Sequence, residues 1–199
     1  MTIYDGKPSF VYGFHGLDED IAHEILLQKQ NFKSSQNDYD WLGQGVYFWE
    51  NNIERARQYA TETSQRNGST VKSPFVLGAV LDLGNCLDLL DQKHLDFLKS
   101  VYELMIEDFN EQSIPIPENT GFGTQDFDFK NRKLDCAVIR YAHAISKENG
   151  TEFDTVRSVF WEGETLYENA GFRRNNHIQI AVLNDDCIKG VFLPKSTSI

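Results

Sequence analysis

Residues 12–60, YGFHGLDEDIAHEILLQKQNFKSSQNDYDWLGQGVYFWENNIERARQYA, decide how the chain is read. The stretch has two dense ends. The first is an apolar run that closes on His15-Gly16 and leads into helical spacing. The second is Leu42-Gly43-Gln44-Gly45-Val46-Tyr47-Phe48, again followed by helical spacing. Between them residues 34–38 are polar. Glycine lets backbone approach a ligand closely and takes positive φ without strain. A histidine beside a glycine at a strand end, and an aromatic strand entered through two glycines, read as halves of one pocket for a nucleotide-like ligand.

Working outward, residues 9–14 are expected to form a strand that His15-Gly16 ends. Asp18 or Asp20 starts a helix with Ile21, Ile25, Leu26 and Leu27 on its apolar side. Residues 46–49 form a second strand. Asn51 or Asn52 caps a helix with Ile53, Ala56 and Ala60 on one face and Tyr59 beside them. Residues 75–83 (FVLGAVLDL) read as an apolar strand, which residues 86–90 continue after a bend. Asp91 opens a long helix through Leu95, Leu98, Val101, Met105 and Phe109. A second helix carries Leu134, Ala137, Val138, Tyr141 and Ile145 and stops at Asn149-Gly150. Residues 156–160, 178–183 and 187–192 are strands, the last two joined as a hairpin through the turn Asn184-Asp185-Asp186. The expected class is α+β: mostly antiparallel strands at both ends of one domain, residues 1–199, with a helical insert over about 91–150.

The 199 residues suit one domain, and 40% hydrophobic with 13% aromatic content supplies a core. A formal net charge of -11 argues against broad phosphate-driven binding to nucleic acid or to an anionic membrane, though not against a local basic patch. Cys86, Cys136 and Cys187 are odd in number and widely spaced, as buried thiols in a reducing compartment are. The first residues carry no apolar signal core and no run is long enough to span a bilayer. A cytoplasmic location is therefore expected; a protein exported without a cleaved signal would look the same. The five histidines and three cysteines show no metal-ligand spacing. Gly121-Phe122-Gly123 lacks the Lys-Ser/Thr and following helix of a phosphate loop.

The Phe14-His15-Gly16 element, the Leu42-Gly43-Gln44-Gly45-Val46-Tyr47-Phe48 strand and the helix ending Arg57-Gln58-Tyr59-Ala60 resemble those of the poly(ADP-ribose) polymerase-like, or diphtheria-toxin-like, ADP-ribosyltransferases. That family has a His-Gly strand, a Gly-Lys-Gly-[Ile/Val]-Tyr-Phe strand, a helix with a tyrosine, and a late strand whose first residue is often Glu. Residues 177–192, HIQIAVLNDDCIKGVF, resemble the late hairpin, with Gln179 where the Glu would stand. The motifs span nearly the whole chain in family order. The resemblance implies a split, mostly antiparallel β-sheet that binds NAD.

Carried over, His15 would hydrogen-bond a ribose hydroxyl, since imidazole donates at one nitrogen and accepts at the other. Gly16 would offer its backbone N–H and C=O to the nicotinamide amide. Tyr47 would stack on the nicotinamide ring, and Tyr59 is the candidate second face. Asn37, in the polar segment near the adenine side, is a candidate NAD contact as well as an ordinary turn residue. The family's reaction expels nicotinamide through an oxocarbenium-like state that a carboxylate stabilises. Glutamine holds the same hydroxyl but brings no charge and is no base. Gln179 thus leaves three outcomes open: another acid supplies the charge, the enzyme makes only mono-ADP-ribose marks, or the site binds NAD without reaction. Glu162, after an apolar strand and beside Trp161, is the preferred spare acid, ahead of Glu168; each is also readable as a solvated loop charge. Arg173-Arg174 flank the same mouth.

The function these features imply is a mono-ADP-ribosyltransferase that uses NAD and no metal on a macromolecular acceptor, protein or nucleic acid. The size fits a bacterial or phage-type toxin, for which an antitoxin is a natural partner. An NAD glycohydrolase and a catalytically silent NAD- or ADP-ribose-binding module are the alternatives. The insert, with Phe122, Phe127 and Phe129, is the expected target- or partner-binding surface.

Overall fold

The computed structural model describes residues 10–121 and 129–195. Ser9, Phe122, Gly123 and Phe127 lie outside them. In chain order the elements are β1 (Phe10–Asp18), α1 (Glu19–Leu26), β2 (Val46–Glu50), α2 (Ile53–Ser64), β3 (Pro74–Asp82), β4 (Cys86–Asp88) and α3 (Gln92–Glu111). There follow β5 (Asn119–Thr120), β6 (Asn131–Arg132), α4 (Lys133–Glu148), β7 (Thr155–Phe160), β8 (His177–Val182) and, after a 3-10 turn, β9 (Ile188–Phe192). The class is α+β. β5 and β6 pair with each other, and the other strands form one sheet in the order β4-β7-β8-β2-β1-β3-β9. All its pairings are antiparallel except β4 with β7.

The helix starts follow from short polar side chains that accept from otherwise unpaired N–H groups. Asp18 caps α1 by accepting from the Asp20 amide, Asn52 caps α2 from Arg55, and Asp91 caps α3 from Lys93.

Three expectations about strands are corrected. β1 does not end at His15-Gly16; it pairs with β3 in unbroken register from Phe10–Asp82 to Asp18–Pro74, so both residues lie inside a strand. Residues 86–88 do not prolong β3. They form a separate strand, parallel to β7, at the far edge of the sheet. β8 and β9 are not a hairpin, because both edges of β8 are taken, by β7 and by β2. β9 pairs with β3 at the opposite edge instead.

That last connection requires a bent sheet. Four strand steps of a flat sheet would set β8 and β9 roughly 19 Å apart, more than the compact turn from Asn184 to Cys187 bridges comfortably. The bend brings Phe48, Ile180 and Val182 from one half against Ala79 and Leu81 from the other, with Cys187 among them. Gly13 sits at the fold. A Cβ there would lie 2.6 Å from Leu81 Cδ1 and 2.8 Å from Phe48 Cβ. β1 and β2 pair only over Gly13–Glu50 and Phe14–Trp49, so the sheet splits just beyond.

Residues directly opposite each other in antiparallel strands share a face. Phe14, Trp49, Gln179 and Ser158 are opposed in turn and define one face, which Tyr47, Phe160 and His177 share by alternation. On this face α2 covers β1 and β3 through Ala56 and Ile53 against Trp49 and Val76. The insert helices α3 and α4 cover β4, β7 and β8, with Val101, Met105, Ile139 and Ala142 packed on Leu87, Val156 and Ala181. α1 lies on the other face, against Leu17 and Leu77. A strip of this face over β2 and β8, the trough, is left between α2 and the insert, and its Trp49, Phe160 and His177 side chains are buried.

Candidate ligand site at the split between β1 and β2

The main chain of β1 aims one peptide into the split. Asn51 donates its amide to the Tyr12 carbonyl at 2.8 Å, across to the β2 side, and Glu19 donates to Ser73 at 2.9 Å, across to the β3 side. N–H and C=O of one residue point the same way and alternate along a strand. The odd residues of β1 therefore bond β3, and Tyr12, Phe14 and Gly16 face β2. Beyond the Phe14–Trp49 pair, Gly16 directs both backbone groups into the split. Gly16 is also where α2 approaches closest: a Cβ would stand 2.3 Å from the Ala56 carbonyl oxygen.

His15 spans the split. Its Nδ1 lies 2.6 Å from the Tyr47 carbonyl oxygen. A carbonyl only accepts, so Nδ1 carries the proton and Nε2 keeps its lone pair in the neutral ring. Burial holds the imidazole pKa below its ordinary value, against the opposing pull of the Tyr47 carbonyl. The ring packs edge-on to Phe32 and tilted against Phe48, at 5.1 and 5.6 Å between centroids. By register His15 belongs to the Phe48 face, opposite to the face of Gln179.

The Tyr47 ring is tethered at its tip. Its hydroxyl donates to the Gly43 carbonyl at 2.6 Å and accepts from the Leu42 amide at 2.9 Å. Burial pushes the phenol pKa up. Gly43, at φ +74°, takes a turn that favours glycine and serves the tether, while Gly45 exchanges backbone hydrogen bonds with Ser35.

In the trough, Gln179 stands opposite Trp49 on one side and Ser158 on the other. Ring contacts run across it without a break. Tyr59 lies 4.9 Å from Trp49, Trp49 6.4 Å from His177, His177 5.6 Å from Phe160, and Phe160 4.8 Å from Trp41. Tyr59 thus meets Trp49.

Glu162 reaches the same face. Its carboxylate accepts from Arg55 Nη2 at 2.9 Å and lies 3.9 Å from His177 Nδ1. His177 is two residues from Gln179, about 7 Å along a strand. The Arg55 and Glu162 side chains are only 8% and 17% exposed. Burial holds the His177 pKa below its ordinary value, and its Nδ1 donates to the Asn175 carbonyl at 2.6 Å. Trp49 Nε1, Arg55 Nε and Nη1, and His177 Nε2 are buried without a hydrogen-bond partner. Buried polar atoms are rarely left so, and these offer donors and an acceptor to a polar ligand or to water.

Asn37 is not brought to the trough. Its amide donates to Ser35 Oγ at 2.9 Å and Asp40 Oδ1 at 3.2 Å, and its carbonyl accepts from Arg140 at 3.0 Å. Its side chain closes its own loop, which Arg140 ties to α4. Arg173 lies 4.3 Å from the Trp161 ring centre and donates to the Gly163 carbonyl. Phe129, in the insert, is 43% exposed.

Trp49 and Arg55 escaped the sequence reading, as did the place of His177 beside Gln179 and Glu162. Trp49 and His177 had a signal, being two residues along a strand from Tyr47 and Gln179. Arg55 had none, because a charged residue in an amphipathic helix reads as solvent-facing.

Among the described residues no group of three or more His, Cys, Asp or Glu could hold a metal, and no helix is long and apolar enough to cross a membrane. Neither of two sizeable cavities is lined by His15, Gly16, Tyr47, Tyr59, Glu162 or Gln179. No family model matches the chain, nor does any curated protein or solved structure.

Proposed function

We propose that the chain is a mono-ADP-ribosyltransferase that transfers ADP-ribose from NAD to a macromolecule. One arrangement carries the reading. The strands of the His-Gly, Tyr and late-strand motifs are neighbours, β1 beside β2 beside β8, and β1 and β2 part where the His15 ring meets the Tyr47 carbonyl, with Gly16 next along β1. A peptide with both groups unpaired by β2 suits a carboxamide, which donates and accepts. A neutral imidazole whose Nδ1 is engaged suits a ribose hydroxyl, accepted at Nε2.

In this reading Gln179 orients the ribose, and the negative charge it lacks comes from Glu162, held on the same face by Arg55. A transition state that gains positive charge is stabilised by a preorganised carboxylate. The acceptor is a protein or a nucleic acid, and the enzyme acts as a toxin-like effector kept in check by a neutralising protein.

The test is incubation of the purified chain with NAD labelled on the adenylate phosphate and a lysate divided into protein and nucleic-acid fractions, with free nicotinamide measured in parallel. Label in one fraction, lost in His15→Ala, supports the transferase and names its acceptor class. Nicotinamide release with no labelled fraction replaces it with a glycohydrolase. NAD binding with no release leaves a silent binding module.

A further inference from the structure

We propose that the cavity between the insert and β7 is a binding site for an unpaired nucleobase, adjoining the proposed NAD site across Ser158 and Phe160. The cavity measures about 360 Å³, within the roughly 300–1,000 Å³ typical of small-molecule sites. Its base is aromatic. Trp41 and Phe160 lie 4.8 Å apart with their planes tilted by 49°, and the Arg132 guanidinium sits over both rings, 4.4 and 5.1 Å from their centres. Its walls are aliphatic, with Leu95 and Leu98 from α3 and Leu134 and Ile139 from α4. Three polar residues line it as well: Lys99, Ser158 and Asp135, whose carboxylate accepts from Asn119 Nδ2 at 2.7 Å and lies 3.6 Å from Arg132 Nη1.

This combination selects a chemistry. Aliphatic walls and an aromatic–guanidinium base accept a planar π-system by its faces, and unpaired bases are bound this way on aromatic and arginine planes. Both a donor and an acceptor are supplied for the edge, which a phenyl ring or an alkyl chain would leave unused. Arg132 and Asp135 pair with each other at 3.6 Å, so Lys99 supplies the surplus positive charge, which suits an attached phosphate. The net charge of -11 restricts such binding to a local patch. Ser158 is the cross-strand neighbour of Gln179, so their Cβ atoms stand about 5 Å apart. A base in the cavity lies beside the trough. Its use there as the acceptor rests on the transferase reading; binding itself does not.

The test is calorimetric titration of the whole chain with the four ribonucleoside monophosphates and, separately, with a short single-stranded oligonucleotide of mixed sequence. Each is run with and without saturating NAD. Binding of either probe that persists with NAD is expected, with affinity reduced at least tenfold by Leu95→Trp, which narrows the mouth from a half-exposed position on α3, and by Lys99→Glu. Tighter binding of the oligonucleotide than of any monophosphate identifies a strand as the source of the base; the reverse identifies a free nucleotide. Circular dichroism and thermal unfolding of both variants check that the fold is kept. No binding of any probe overturns the proposal. So does binding that NAD abolishes, which assigns the cavity to the adenine of NAD, or binding that neither folded variant weakens.

Discussion

The His15 imidazole closes on the Tyr47 carbonyl at 2.6 Å, thirty-two residues along the chain. The contact joins β1 to β2 where their own pairing has ended, and it sets the tautomer. Protonating the ring would place a charge in a buried site, which is why its pKa lies below the ordinary value. NAD affinity is therefore expected to be level above about pH 6.5, the ordinary histidine value, and to fall only as His15 gains a proton below it. His15→Ala should weaken NAD binding about tenfold, the equivalent of one hydrogen bond of about 1.4 kcal/mol. Titration calorimetry at pH 5.5, 7 and 8 checks both statements. Unchanged affinity in the variant at pH 7 removes His15 from the site.

Gly16→Ala tests the close approach of α2. The new Cβ would meet the Ala56 carbonyl at 2.3 Å, and neither backbone can yield without moving the helix. Overpacking of this kind costs about 1–3 kcal/mol, to be read from urea unfolding. NAD binding should be lost at the same time, because the displaced helix carries Tyr59. A variant with wild-type stability would mean that α2 sits farther from β1.

Much of the fold was legible because it rests on local chemistry. Asp18, Asn52 and Asp91 each announce a helix by accepting from an amide two or three residues on. The spacing of Val101 and Met105, and of Leu134, Val138 and Tyr141, likewise announces helices that pack on a sheet. What stayed hidden was long-range. Nothing near Asn184 reveals that β8 is already paired on both edges, so a short polar turn reads as a hairpin. Nothing near Arg55 reveals that its partner is Glu162, 107 residues later. Of the expected site, His15, Gly16 and Tyr47 meet at the split, and Gln179 and Glu162 share a face of the trough. Asn37 was read as a contact because the loop is polar, yet that polarity is consumed by its own turn.

His143 makes stability depend on pH. Burial lowers its pKa to about 4, while the unfolded chain titrates near 6.5. Between those values the unfolded state binds a proton that the folded state refuses, so stability is full above pH 6.5 and is lost as pH falls toward 4. The loss from this group is at most about 3 kcal/mol. His15 and His177 are shifted in the same direction and add to it. His143→Phe, beside Phe153, should leave stability at pH 7 nearly unchanged and flatten its decline between pH 6.5 and 4. Equal slopes for variant and wild type in urea unfolding would contradict the assignment.

The Arg55–Glu162 pair decides where charge sits in the trough. Both side chains are largely buried, so removing one strands the other. Glu162→Gln should destabilise the fold by about 3 kcal/mol, as breaking a buried pair does, because the largely buried Arg55 charge loses the carboxylate that faces it. Arg55→Leu should cost a similar amount. The double variant Arg55→Leu/Glu162→Leu should recover most of it, since two apolar groups leave no uncompensated charge. Turnover separates a structural role from a chemical one. If the carboxylate supplies the missing charge, the double variant folds well and is inactive. Gln179→Glu, which puts a carboxylate on the opposite partner of Trp49, should then restore turnover in that background. A folded double variant with wild-type turnover would make the pair a structural clamp and return the charge problem to Gln179 alone.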